Sequence, residues 1–476
     1  MKIIPAPLET EFNNGYTPAP TEENVTVDSS LEREEYVLTV THDKIIIAGG
    51  SNSAVFYARQ TLKQLALQGE GLPVCRIRDR PGFPWRGFMI DSARHMQTVD
   101  ELKKIIDVMS LLKFNIFHWH LTDDQGWRFE SAAYPELNTK AAVRPFSDFG
   151  DTINNKPYGR VYTKEEMRDI VSYCKERYID VVPEFDMPGH TSALLSVFPE
   201  LSCKNDSVEI KTHQGIFGDI LCPSKEKTYE VLENIIDEFC DIFPYDIYHI
   251  GGDEAPHKQW KNCPVCKAAK DAGGYSGWSE YQNSFMNRMI DYLDKKGKKA
   301  IVWNDAVKGK NLDRRAILQY WMEAYRKPSA DFANGGGKMI LSPFGSYYMD
   351  YDYRITPFRK TIAFDPAKLK GLTETGYENV IGVETPIWTE YIRENKKLER
   401  FLFPRVIAVA QTAWSEKRFD YDGFIDETEY ITKIIKDKGI IFEDEREWGR
   451  PKYSTAFGWI RMGKQIFSHK KKEIDY

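Results

Sequence analysis

Eight short apolar runs separated by longer amphipathic stretches constrain this chain more than any other feature, because that alternation is the signature of parallel βα units. The runs are Gly87 to Ile90, Asn115 to Trp119, Asp180 to Val182, Tyr248 to Gly251, Ala300 to Trp303, Ile317 to Tyr320, Met339 to Ser342 and Val380 to Val383. Two of the intervening segments open with capping-box spacing, Thr98 with Glu101 and Thr163 with Glu166, and the second carries Met167, Ile170, Val171 and Cys174 on one helical face. The expected fold is therefore α/β, a closed (β/α)8 TIM barrel with long loops after the third and fourth strands. An open doubly wound sheet is the rival, and no Gly-x-Gly-x-x-Gly turn follows the first run to support it.

Ahead of the barrel, residues 1–83 read as a small α+β accessory domain. Tyr36 to Val40 and Lys44 to Ile47 look like strands, and a helix follows, capped by Ser51 or Ser53 and carrying Ala54, Tyr57, Ala58, Thr61, Leu62 and Leu65. The prolines and glycine of Asp79 to Pro84 place the boundary near residue 83. The barrel is expected over 84–446 and a tail with Trp448 and Trp459 over 447–476, packed on or near the barrel.

Composition narrows the function classes. Hydrophobic residues at 42% and charged residues at 29% exclude a disordered or fibrous chain. A net charge of −6, with no basic block except Lys470, Lys471 and Lys472, argues against nucleic acid as a partner. No window approaches the ~18 apolar residues of a membrane span, and no signal peptide is read at Met1, which leaves the compartment undetermined. Seven cysteines are too few for a disulfide framework in a chain of this length. Aromatic residues at 13%, with 11 tryptophans, suit a protein that stacks sugar rings.

The carboxyl ends of barrel strands carry the active site in this architecture, and polar or aromatic residues follow every run. Asp91 and Arg94 follow the first, His118, His120, Asp123 and Asp124 the second, and Glu184, Asp186 and His190 the third. Gly251, Gly252, Asp253 and Glu254 follow the fourth; then come Trp303 and Asp305, Trp321, Tyr347, Tyr348 and Asp350, and lastly Glu384, Trp388 and Glu390. Carboxylates and aromatics without a phosphate-cradling loop point toward carbohydrate chemistry.

Glycoside hydrolysis needs an acid for the leaving oxygen and a group that stabilises or traps the anomeric cation. Glu254 is the natural acid. Adjacent residues on a strand point to opposite faces, so Asp253 and Glu254 both reach the site only where the ladder ends, as the two glycines permit. An adjacent pair cannot straddle a glycosidic bond. Either Glu390 or Asp350 is the nucleophile or base, or the substrate supplies its own nucleophile and Asp253 holds it. His118 and His120 read as buried, hydrogen-bonded histidines, with a metal site completed by Asp123, Glu184 and His190 as the alternative. Cys263 and Cys266 have knuckle spacing without a second such pair, and read as a structural loop; no metal and no cofactor are expected.

At these residues the sequence resembles glycoside hydrolase family 20, the β-N-acetylhexosaminidases. The matching segments are Asp91-Ser-Ala-Arg-His-Met, His118-Trp-His-Leu-Thr-Asp-Asp-Gln-Gly-Trp-Arg, Pro183-Glu-Phe-Asp-Met-Pro-Gly-His, His249-Ile-Gly-Gly-Asp-Glu and Trp388-Thr-Glu, in the family's order. The resemblance implies substrate-assisted retention, in which the 2-acetamido oxygen attacks the anomeric carbon to give an oxazolinium. Glu254 would then be acid and base, and Asp253 would accept from the acetamido N–H. Tyr348 would donate to the acetamido oxygen, and His190 with Asp123 would form a dyad tuning Glu254. Arg94, Glu390 and Asp350 would bind polar edges of the sugar, with Trp303, Trp321 and Trp388 as its apolar walls. Another family tryptophan, expected upstream of Trp303, is missing where Ser284 to Asn287 stand, and Trp278 is the candidate substitute.

The expected substrate is an oligosaccharide or glycoconjugate ending in β-linked N-acetylglucosamine or N-acetylgalactosamine. A disaccharide-releasing lacto-N-biosidase and a non-catalytic sugar-binding protein on the same fold are the alternatives, the latter disfavoured by the presence of both Asp253 and Glu254.

Overall fold

The computed structural model describes residues 1–18, 22–69, 71–150 and 153–448. Five strands, β1 (Glu9–Thr17), β2 (Glu22–Val27), β3 (Tyr36–Val40), β4 (Lys44–Gly49) and β5 (Leu72–Asp79), make one sheet in the order β1-β5-β3-β4-β2, antiparallel except for β2 beside β4. Alternate burial along β3 turns Tyr36, Leu38 and Val40 toward helix α1 (Asn52–Leu65), whose first turn is capped by the Ser51 side chain accepting from the Ala54 N–H. Strands β3 and β4 and the helix stand where the sequence places them. Strands β1 and β2 were not anticipated, because β2 is exposed along its whole length and β1 is polar, carries Asn13-Asn14-Gly15 and bulges between Phe12 and Tyr16.

The barrel is closed by eight parallel strands: β6 (Trp85–Asp91), β7 (Ile116–His120), β8 (Asp180–Met187), β9 (Ile247–Gly251), β10 (Lys299–Trp303), β11 (Ile317–Tyr320), β12 (Met339–Leu341) and β13 (Val380–Ile387), with β13 pairing back to β6. All eight apolar runs are strands of this ring, and β8 and β13 continue past the apolar residues into polar ones. Inside the ring the alternation of strand side chains builds layers. Trp85, Ile116, Val182, Ile301, Ile317 and Ile340 form an apolar plug separate from the main core. The next residues on that face, two positions on, include His118, Glu184 and Gln319, which Glu384 of β13 joins by hydrogen bonds to His118 and Gln319, so a buried polar layer lies between the plug and the active-site mouth.

Around the ring, Thr163 caps helix α2 (Lys164–Lys175) with a full capping box. At Thr98 the box is half formed: its hydroxyl accepts from the Glu101 N–H, while the Glu101 carboxyl turns to Glu399. The chain leaves the small sheet at Asp79 and enters the barrel at Trp85. The junction is fixed by buried charges: Arg86 donates to both Glu34 oxygens at 3.0 Å, and Lys113 and Trp414 converge on Asp79. Trp448 packs against Phe358 and Phe442, whereas Trp459 and Lys470 to Lys472 lie outside the described residues. Among the described residues no helix is long and apolar enough to cross a membrane.

Candidate active site

Strand β9 ends on two glycines that change the direction of the chain. Gly251 and Gly252 have φ of +68° and +103°, and a Cβ on Gly251 would lie 1.6 Å from Asp186 Oδ1, so only glycine fits. Glu254 also adopts positive φ, +44°, a strained conformation of the kind that concentrates at functional sites. The strand alternation is broken, and both carboxylates reach one histidine: His190 Nε2 lies 3.7 Å from Asp253 Oδ2 and 3.7 Å from Glu254 Oε2. They are not equivalent. The Asp253 side chain is 10% exposed and that of Glu254 29%, and Asp253 Oδ1 is a buried acceptor with no partner among the described residues.

Behind His190 the expected dyad is a triad. Its Nδ1 lies 3.2 Å from Asp123 Oδ1 and 3.1 Å from Asp124 Oδ2, so both aspartates orient the ring. Asp124 is held by the Ser192 N–H and hydroxyl, Asp123 by Arg94 at 2.7 Å and His120 at 2.9 Å. Burial opposes charge on His190, but the aspartates outweigh it and hold the imidazole well above its ordinary pKa. Arg94 is clamped by Asp91, Asp123 and the Gln125 amide, stacks on Trp388 at 5.1 Å and comes within 3.8 Å of Glu390. Sequence reasoning placed Asp124 at this strand end without giving it a role, and missed Gln125. The Thr-Asp-Asp-Gln string carries both, but adjacency gives no indication of which carboxylate turns to the histidine.

Beneath these groups, His118 donates Nδ1 to Glu384 at 2.8 Å and Nε2 to Glu184 at 3.1 Å, and His120 bridges Glu184 and Asp123. Burial lowers the basicity of His118, but Glu384 and Glu184 prevail and raise its pKa to about 9. Every ring nitrogen of His118 and His120 thus faces a carboxylate oxygen of this chain, as expected of buried, hydrogen-bonded histidines. Folding binds the His118 proton more tightly than the unfolded chain, whose histidine titrates near 6.5. Its stabilisation is thus complete below about 6.5 and is lost as pH rises through about 9. Urea unfolding at stepped pH should show stability falling over that window, and a flat profile there would remove the imidazolium.

Trp303, Trp321 and Tyr348 form a separate aromatic cluster with Trp388 against it; Trp321 stacks on Tyr348 at 5.9 Å and 20°, and Trp303 lies 5.9 Å from Trp388. Trp321, downstream of Trp303, joins this cluster with its indole N–H held by Asp305 at 2.9 Å. Trp278 is not part of it. It starts helix α3 (Trp278–Lys295) and packs with Tyr281 in a different cluster. Asp350 is half-buried, with its Oδ1 buried and unpartnered among the described residues, and desolvation and Glu390 push its pKa well up. The structure thus gathers every expected site residue, except the provisional Trp278, at one mouth of the barrel.

Comparison with known proteins bears directly on this mouth. The profile described as "Glycosyl hydrolase family 20, catalytic domain" matches residues 83–417, and "Glycosyl hydrolase family 20, domain 2" matches residues 6–80. The chain belongs to glycoside hydrolase family 20. A β-hexosaminidase of Akkermansia muciniphila is 34% identical over 429 residues, covering 87% of this chain and 86% of that protein. One from Porphyromonas gingivalis is 32% identical over 434 residues, covering 86% of this chain and 55% of its own length. Among solved structures, the β-N-acetylhexosaminidase of Bacteroides fragilis superposes with a TM-score of 0.82 at 27% identity, covering 95% and 99% of the two chains. This family 20 chain is a β-N-acetylhexosaminidase, a glycosidase on a TIM barrel preceded by the family's accessory domain.

Proposed function

We propose that the enzyme is exo-acting and retaining, releasing terminal β-linked N-acetylglucosamine or N-acetylgalactosamine with the substrate's own acetamido oxygen as nucleophile. One observation carries the reading: Asp253 Oδ1, buried and unpartnered among the described residues, is an acceptor waiting for a donor beside the tryptophan cluster. An acetamido N–H supplies that donor, and Trp303, Trp321 and Trp388 give its methyl group an apolar enclosure.

In the first step the acetamido oxygen forms a bond to C1 as the C1–aglycone bond breaks, and Glu254 gives its proton to the departing oxygen. Asp253 carries the positive charge spreading onto the acetamido nitrogen. Water then adds to C1 of the oxazolinium from the face the aglycone left as the bond from C1 to the acetamido oxygen breaks, surrendering its proton to the Glu254 carboxylate. His190 lies beside Glu254 at 3.7 Å, and Arg94, Glu390 and Asp350 hold the ring hydroxyls. A plain glucoside has no acetamido group, so paired aryl β-glycosides test the reading. Wild type should cleave the N-acetylglucosaminide faster than the glucoside by about 10³ or more. Comparable rates would put a protein carboxylate in the nucleophile's place.

A further inference from the structure

The Cys263-Pro-Val-Cys266 pair, read from sequence as a loop for want of a second pair, is not alone. Cys203 and Cys222 arrive from the loop after β8, and all four Sγ atoms lie within 4.8 Å of one another. Cys266 Sγ is 3.6 Å from that of Cys203 and 3.5 Å from that of Cys222. A tetrahedral zinc with Zn–S bonds of about 2.3 Å places its sulfurs about 3.8 Å apart, close to the two separations given and within the 4.8 Å limit of all four. A mononuclear tetrathiolate therefore fits with small side-chain movement. We propose that Cys203, Cys222, Cys263 and Cys266 bind one structural Zn²⁺.

The surroundings suit four thiolates. Cys222 and Cys266 are buried, and Cys203 and Cys263 are only partly exposed. Cys263 is the N-cap and Cys266 lies in the first turn of the helix Pro264–Ala272, where the backbone N–H groups and helix dipole favour negative charge. The Ser224 hydroxyl donates to Cys266 Sγ at 3.5 Å and is itself paired with Tyr281 at 2.6 Å. Such outer hydrogen bonds orient and stabilise metal thiolates.

The site joins two loops that a barrel strand cannot hold. Cys203 and Cys222 belong to the connection between the short helix Ser192–Val197 and the helix Glu226–Cys240, while Cys263 and Cys266 follow Glu254 in the chain. The Trp260 indole donates to Leu221 O at 2.9 Å and the Gln259 amide to Gly218 O at 2.6 Å, lacing the same two segments together. Ile220, Cys222, Trp260, Cys266 and Tyr281 form a small core of their own, apart from the main one. The metal would stand in for the hydrophobic burial that this outlying lobe lacks, and would brace the segment leading away from the catalytic acid without touching substrate.

The test is metal analysis of the full chain, purified without chelator from zinc-supplemented culture, by elemental mass spectrometry. About one zinc per chain is expected, together with seven alkylatable thiols after non-reducing denaturation. Cys266→Ser should lose the zinc and lower the melting temperature by about 10 °C, whereas Cys174→Ser, in the main core, should retain the metal. Should Cys266→Ser fail to fold, mercurial titration of the wild type should release the zinc in step with thiol modification, read with a chromogenic chelator. Less than about a tenth of a zinc per chain, iron in its place, or an intact mass showing disulfides among these four cysteines would each overturn the proposal.

Discussion

Replacing Glu254 with glutamine is expected to lower kcat/KM for a natural oligosaccharide by about 10³ while leaving the fold intact. Its carboxyl is the more exposed of the adjacent pair and lies 3.7 Å from His190, so the amide loses a transferable proton without losing a buried partner. The size of the loss should depend on the leaving group. An alkoxide needs its proton during bond cleavage, whereas a dinitrophenolate departs without one, so the deficit in the first step should shrink to about tenfold with that aglycone. Steady-state kinetics on a series of aryl glycosides separates the two cases. A deficit that stays constant along the series would show Glu254 to be a binding group and not the acid.

Much of the barrel was legible because apolar runs and polar strand ends obey different local rules, and both repeat. The run Asp180 to Val182 marks a strand by burial, and Glu184 and Asp186 mark its functional end by being charged where the period still points inward. The pair Asp253 and Glu254 was legible for the same reason: two glycines before two acids announce a broken ladder. What sequence could not convey was convergence. Trp278 was as good a candidate for the site as any other tryptophan, and only the fold takes it to Tyr281 while Trp321 reaches Tyr348. Cys203 and Cys222 lack knuckle spacing, so their approach to Cys266 depends on how a long loop returns across its neighbour. Strand β2 was invisible because nothing on it is buried; its partner β4 supplies the pattern that it lacks.

Asp253→Asn is expected to lower kcat on N-acetylglucosaminides by about 10² to 10³, with KM changing far less. The amide keeps the shape of the side chain but not its charge, and half its surface becomes a donor facing the acetamido N–H. Ground-state binding tolerates that by rotating the amide; the transition state does not, because the nitrogen there carries growing positive charge. Its pH dependence should be equally informative. Burial pushes the Asp253 carboxyl up to about 7, with Asp305 and Glu254 adding to it and His190 opposing. Only the ionised form can carry the acetamido charge, so kcat/KM of the wild type should fall as pH drops below about 7, the range in which the free enzyme takes up that proton. Asparagine has no proton to take up. The variant's profile should therefore lose that acidic limb. If the limb persists in Asp253→Asn, another group titrates there and the assignment of Asp253 as the acetamido partner fails.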